Sequence, residues 1–191
     1  KDCKDYSLAD KYILSKMNTV VKEVTENMEK FELGIAMQKV NDFMWTEFCD
    51  WYIELVKPVF YGEDEKAKGV VYNVLSTVLV TGLKLLHPAM PFITEEIFTH
   101  LTDEETITTS SWPEYDEALL DEKAESDMGY IIEAIKGLRN VRAEMNVPPS
   151  RKAKVICYIS DEAKEAFNVG TSYIEKLASA SEVEFIADKS N

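Results

Sequence analysis

Residues 43–57 read Phe43-Met44-Trp45-Thr46-Glu47-Phe48-Cys49-Asp50-Trp51-Tyr52-Ile53-Glu54-Leu55-Val56-Lys57, and their period decides the fold class. At about 100° per residue, Met44, Phe48, Trp51 and Leu55 share one face of a helix, with Trp45, Tyr52 and Val56 beside it. Glu47, Asp50, Glu54 and Lys57 form the opposite, polar arc. The stretch is predicted as part of a helix from about Glu32 to Lys57, stopped by Pro58, which has no N–H for the ladder. Aromatics at this spacing read as core. Phe43 falls within the polar arc, so its ring is either exposed or covered by a neighbour; exposed, it is a candidate to stack on an unpaired base.

Working outward, a helical period surrounds this stretch on both sides. Ser7-Leu8-Ala9-Asp10 reads as a capping-box-like start. Ile13, Met17, Val20, Val24, Met28 and Phe31 then recur every three or four residues, as one buried stripe requires. Beyond Gly62, acidic residues open a third helix whose Val and Leu content predicts a central position. It ends at His87-Pro88, and Pro91 begins a short helix to about Leu101. Residues 102–111 are polar and β-branched with no helical period. Trp112-Pro113 closes them, and a further helix is predicted from about Asp121 to Met145. After Pro148-Pro149 the period changes to 2: Val155, Cys157 and Ile159 alternate with Ile156 and Tyr158 as in a strand. Short helices at 161–167 and 172–178 and a strand at 182–186 follow. The predicted fold is mainly α, a helical bundle at 1–147 followed by a small α/β unit at 148–191.

Composition bounds the function. The chain has 191 residues, 46% apolar and 29% charged, as in soluble globular proteins. No uninterrupted run of about 18 apolar residues occurs, which argues against a membrane span. The opening Lys1-Asp2-Cys3-Lys4-Asp5 lacks an initiator Met and a signal-peptide core, as expected of a piece of a longer protein. Cys3, Cys49 and Cys157 fit neither a disulfide framework nor a zinc site, which points to a reducing cytoplasm. The net charge of −14 argues against a polyanionic partner, but its distribution does not. Lys136, Arg139, Arg142, Arg151, Lys152 and Lys154 stand within 19 residues that hold one acid, Glu144. Guanidinium forks grouped in this way suit phosphates and base edges; the alternative is that they balance the acidic bundle internally.

Catalytic motifs are missing. There is no phosphate-cradling glycine loop, nucleophile elbow or metal-spaced His/Cys cluster. His87, at a helix end before a proline, reads as a cap rather than a catalyst. His100 reads as solvent-facing. Glu95 and Glu96 are neighbours pointing to different sides, better explained by the helix dipole than by paired acid–base chemistry.

Several strings carry a resemblance. Phe31-Glu32-Leu33-Gly34-Ile35-Ala36, residues 45–58 (WTEFCDWYIELVKP), residues 85–98 (LLHPAMPFITEEIF), Trp112-Pro113 and residues 138–149 (LRNVRAEMNVPP) together resemble the valyl-tRNA synthetase family of class I aminoacyl-tRNA synthetases. They look like the region after its catalytic domain. HPxMPFxTEEI alone indicates the valyl/isoleucyl/leucyl group, and FCDWYIELVKP with VRAEMNVPP tilts it to the valyl branch. The resemblance implies an anticodon-binding helical bundle whose partners are the anticodon arm of a valine-specific tRNA and the catalytic domain of the same chain. It implies a monomeric, cytoplasmic parent that uses ATP and Mg²⁺ to charge valine, and an inserted domain that clears misacylated threonine. The HIGH-type and KMSKS-type signatures, the editing domain and the coiled-coil arm are absent from these residues, so this piece is expected to be non-catalytic and without a cofactor. Part of the tRNA site is expected upstream of Lys1.

Arg139, Arg142, Arg151, Lys152, Lys154 and Phe43 are the expected tRNA contacts. Trp45, Phe48, Trp51, Tyr52, His87, Pro88, Pro91 and Trp112 are expected to be architectural. The alternatives are a helical protein-interaction module, its acidic faces binding a basic partner, and the equivalent domain of an isoleucyl-type enzyme.

Overall fold

The computed structural model describes residues 5–148 and 150–186. Cys3 and Pro149, both used in the sequence reading, lie outside them. The chain packs as two units, 1–121 and 122–191. This division falls one helix earlier than the 147/148 boundary expected from the Pro-Pro pair.

Unit 1 begins with α1 (Leu8–Glu29). Ser7 caps it: the Ser7 hydroxyl accepts from the Asp10 N–H at 3.2 Å, and Asp10 Oδ2 accepts from the Ser7 N–H at 2.9 Å. Asp10 is buried and also accepts from the Tyr52 hydroxyl at 2.6 Å, which ties the helix start to the aromatic stretch. A bare carboxylate in that position would carry a large desolvation penalty, which the Ser7 N–H, the Ser7 hydroxyl (donating to Oδ2 at 2.7 Å) and the Tyr52 hydroxyl offset.

The aromatic stretch departs from the sequence reading in a way that moves side chains. α2 (Leu33–Asp42) passes into a π-helical segment, Phe43–Tyr52, and then into α3 (Ile53–Phe60). In the π segment the ladder runs i→i+5, so each turn holds more residues and the faces shift relative to a 3.6 period. Phe43, Phe48, Trp51 and Tyr52 become the buried set, whereas Trp45 turns outward. Pro58 also fails to stop the helix. It sits in the last turn of α3, where one ladder bond is lost and the chain leaves the helix after Phe60.

α4 (Glu65–Leu86) is long and apolar enough to cross a membrane by length and composition alone. It is also less central than its sequence predicts. Val71, Val74, Val78, Leu83 and Leu85 face inward, while Tyr72, Asn73, Ser76 and Thr77 are exposed. Its C-terminal Leu85 and Leu86 join Val21, Val24, Met28, Ala36 and Met37 in one core cluster. α5 (Pro91–Leu101) turns back along α4, with Phe98 against Leu83 and Ile107. Residues 102–121 then run as a strap held by polar side chains of α1. Asn18 Nδ2 donates to the Asp116 carbonyl at 2.8 Å, and Asn18 Oδ1 accepts from the Asp116 N–H at 2.9 Å. Ser15 Oγ accepts from the Asp121 N–H at 2.9 Å, and the Trp112 indole N–H donates to Thr25 Oγ1 at 2.9 Å.

Unit 2 contains α6 (Glu122–Glu144), β1 (Ala153–Tyr158), α7 (Lys164–Leu177) and β2 (Ala180–Ile186). The strands pair in parallel, from Ala153 opposite Ala180 to Tyr158 opposite Ile186, and α7 is the crossover that parallel pairing requires. α7 is one helix where the sequence reading expects two. Gly170, in the gap between the two expected helices, is a point of close approach: a Cβ there would stand 2.3 Å from Ile131 Cδ1 of α6. Since Ile131 is fully buried, it has little room to yield. Gly170→Ala is therefore expected to destabilise unit 2 by about 1–3 kcal/mol, despite the better helix propensity of alanine. Urea unfolding followed by circular dichroism would check this, and a stabilised variant would show that α6 and α7 can separate freely.

Candidate nucleic-acid interface

The end of α6 explains how the late cations are arranged. Asn146 has φ +52°, with its N–H donating to the Ala143 carbonyl at 3.1 Å and the Val147 N–H donating to the Arg142 carbonyl at 2.8 Å. These two bonds close a left-handed helix terminus, which a short polar residue tolerates, and Pro148 prevents its continuation. The chain folds back beside the last turn it has just left. Arg142 then reaches two carbonyls of the returning loop, Pro148 at 3.0 Å and Arg151 at 2.5 Å. Arg139, one turn earlier, donates from Nε to the Leu177 carbonyl at the end of α7, at 2.9 Å.

Arg139 and Arg142 line an open groove of about 430 Å³ with Ala143, Val147, Leu177, Ala178 and Ser179. A guanidinium has five N–H donors in a fixed fork. Anchoring part of the fork to backbone fixes its position; Arg139 stays exposed and Arg142 is half-buried, and both line the open groove. Arg151 and Lys152 project from the loop that Arg142 holds; their side chains are exposed and make no ion pair among the described residues. Lys154 differs. Its ammonium lies 2.8 Å from Glu184 Oε2 and 3.6 Å from Glu182 Oε2 on the neighbouring strand. The hydrogen bond to Glu184, followed by the charge of Glu182, pushes its pKa up, so it stays protonated but already neutralised. The structure thus brings Arg139, Arg142, Arg151 and Lys152 together at one groove and its loop, and draws Lys154 into the sheet.

Phe43 requires correction as an exposed stacking ring. It is 3% exposed and underlies a groove lined by Lys16, Glu23, Lys39, Asp42, Thr46 and Glu47. The π segment rotates it inward, so no base can reach its face. The exposed aromatic of that segment is Trp45, at 64%, which the sequence reading assigns to architecture. Only the non-standard helical turn reveals this exposure, and the sequence carries no signal for such a turn. Phe48, Trp51 and Tyr52 are buried, with Phe48 and Tyr52 stacked at 6.2 Å between centroids.

His87 laces the α4–α5 corner. Its Nδ1 lies 2.8 Å from Thr94 Oγ1, whose own proton goes to the Met90 carbonyl at 2.8 Å. Nδ1 is therefore the donor of that pair, and Nε2 faces the Thr108 hydroxyl at 3.4 Å. Pro88 lies in this corner and Pro91 opens α5 at its first turn, where a missing N–H is harmless. His100 is exposed beside Glu96. Burial, with Asp50 adding for Cys49, pushes both the Cys49 and Cys157 thiols up, the opposite of an activated nucleophile. The described residues include no group of three His, Cys, Asp or Glu placed to hold a metal ion.

The sequence matches known proteins closely. Over its full length the chain is 72% identical to valine–tRNA ligase of Clostridium perfringens, covering 22% of that protein. It is 67% identical over 99% of its length to valine–tRNA ligase of Clostridium tetani, again covering 22%. With valine–tRNA ligase of Bacillus thuringiensis the identity is 44% over 95% of the chain and 21% of the relative. The chain thus spans about a fifth of the length of the curated relatives it matches. Residues 10–157 match the family model for the anticodon-binding domain of tRNA ligase. With a helical bundle, a grouped set of exposed cations and a match over most of its length, the chain belongs to the family of tRNA-ligase anticodon-binding domains.

Proposed function

We propose that this chain is the tRNA-arm-binding region of a valine–tRNA ligase. In this reading it holds the anticodon stem and loop of valine-specific tRNA while a catalytic domain elsewhere in the same polypeptide charges the acceptor end with valine, using ATP and Mg²⁺. The parent enzyme is a cytoplasmic monomer. The observation that carries the proposal is the anchored pair Arg139 and Arg142 at an open groove, beside the exposed Arg151 and Lys152, on a chain whose net charge is −14. Placing four cations together in so acidic a protein favours one polyanionic partner locally. Within unit 1 taken by itself, Trp45 rather than Phe43 offers an exposed ring of the kind that holds an unpaired base. Lys154 contributes to the sheet rather than to phosphate binding.

The test is a titration of the chain with unmodified tRNA at several salt concentrations. Binding should weaken steeply with salt and favour the transcript bearing the valine anticodon. In the Arg151→Ala, Lys152→Ala double variant the slope of log K against log salt should become shallower by about 1–2 units, with the circular dichroism spectrum unchanged. A slope that stays the same removes this loop from the site, and a salt-independent wild type sinks the RNA reading altogether.

A further inference from the structure

Within unit 1, one end carries large apolar side chains that its own described residues leave exposed. α1 ends and α2 begins there, and so does the corner from α4 to α5, because Leu85 and Leu86 pack with Met28, Ala36 and Met37. The turn from α1 to α2 exposes Phe31, Leu33 and Ile35, and the first turn of α5 exposes Met90, Phe92 and Ile93. Phe31 is 88% exposed and Phe92 is 90% exposed. Isolated exposed apolar residues are ordinary, but six large ones at one end of a helical unit mark an interaction surface.

Phe31 adds an independent observation. It occupies the left-handed position of the α1 terminus, with φ +60°, its N–H bonded to Met28 O at 3.0 Å and the Glu32 N–H to Asn27 O at 2.8 Å. Glycine or asparagine fits that position with less strain. A bulky ring held there and aimed at solvent is a costly choice for the isolated unit, and strain of this kind accumulates at functional contacts.

We infer that this end of unit 1 is the seat against which the catalytic body of the full-length ligase docks. The inference rests on the reading of the chain as the tRNA-binding part of that enzyme. The chain covers only 22% of its relatives, so most of the parent polypeptide is available as occupant. A tRNA that must reach the two regions at once gains from a fixed span between them, since a loose tether lowers the effective concentration of the second contact. A nucleic acid does not suit this apolar surface, where Lys30 beside Phe31 is matched by Glu32 and α5 carries no Lys or Arg and the exposed Glu96. A second copy would bring together two bodies of charge −14. An apolar seat between parts of one chain meets neither objection.

The experiment compares amide hydrogen exchange of residues 31–35 and 92–95 in the full-length enzyme and in the 191-residue chain. Exchange at least tenfold slower in the full-length enzyme is expected, and equal rates would overturn the proposal. In the full-length enzyme, Phe31→Ser with Phe92→Ser should leave valine-dependent ATP–pyrophosphate exchange and anticodon-hairpin affinity within twofold of wild type. Charging of whole tRNA should fall at least tenfold in kcat/KM. Unchanged charging would overturn the proposal, and so would a dimer of the 191-residue chain that Phe92→Ser dissociates. Failure of the wild-type chain to bind the hairpin would instead defeat the tRNA reading, because amide protection reports on the seat without any RNA.

Discussion

Replacing Trp51 with alanine is expected to lower the unfolding free energy of unit 1 by about 3–5 kcal/mol, the range for deleting a large aromatic from a packed core. Trp51 is buried in the π-helical segment, next to Tyr52, whose hydroxyl binds the buried Asp10 carboxylate at 2.6 Å. The cavity left behind would therefore lie beside a polar contact that depends on close packing for its strength. The control is Trp45→Ala in the same ten residues. With its ring exposed, that change should stay within about 0.5 kcal/mol. Urea denaturation followed by near-ultraviolet circular dichroism measures both. Equal effects for the two tryptophans would mean that the π-helical phase is wrong and that the 3.6-residue face holds instead.

The second large effect concerns Arg142. It bridges two backbone carbonyls of the 148–151 loop, those of Pro148 and Arg151, and it lines the groove as well. Arg142→Ala removes a positive fork and releases the loop that carries Arg151 and Lys152. Anticodon-hairpin binding should weaken by about tenfold or more, equivalent to about 1.4 kcal/mol. Arg142→Lys should recover little of this, because one compact ammonium does not reproduce a planar fork spanning two acceptors. Fluorescence anisotropy with a labelled hairpin reads both variants, with far-ultraviolet circular dichroism to confirm the fold. If lysine restores full affinity, the site needs only charge and the fork geometry is incidental.

The parts of this fold that were legible in the sequence are those fixed by neighbours in the chain. The capping box at Ser7 and Asp10, the α1 stripe, the start of α5 at Pro91 and the alternation of β1 each arise from interactions within a few residues. What stayed hidden depends on partners far along the chain. Asn18 clamping Asp116, 98 positions away, has no local signature, and residues 102–111 read only as lacking a helical period. The continuity of α7 through Gly170 was hidden because that residue's reason for being glycine is Ile131 on another helix. The charge count grouped Lys154 with the other late cations, yet Glu182 and Glu184 reach it only once the strands pair. Phe43 and Trp45 exchanged roles for a subtler reason: the ladder in 43–52 widens by one residue, and a periodicity argument assumes the pitch it sets out to find.

The strap along α1 has a topological consequence. Asp121, where the backbone leaves unit 1, is hydrogen-bonded to Ser15, and residues 118–121 line a shallow hollow together with Tyr6, Lys11 and Leu14. The way in and the way out thus share one doorway. A lobe built like this can be spliced into a longer polypeptide at a single junction, as an insert whose two stems run side by side, without its host having to thread around it.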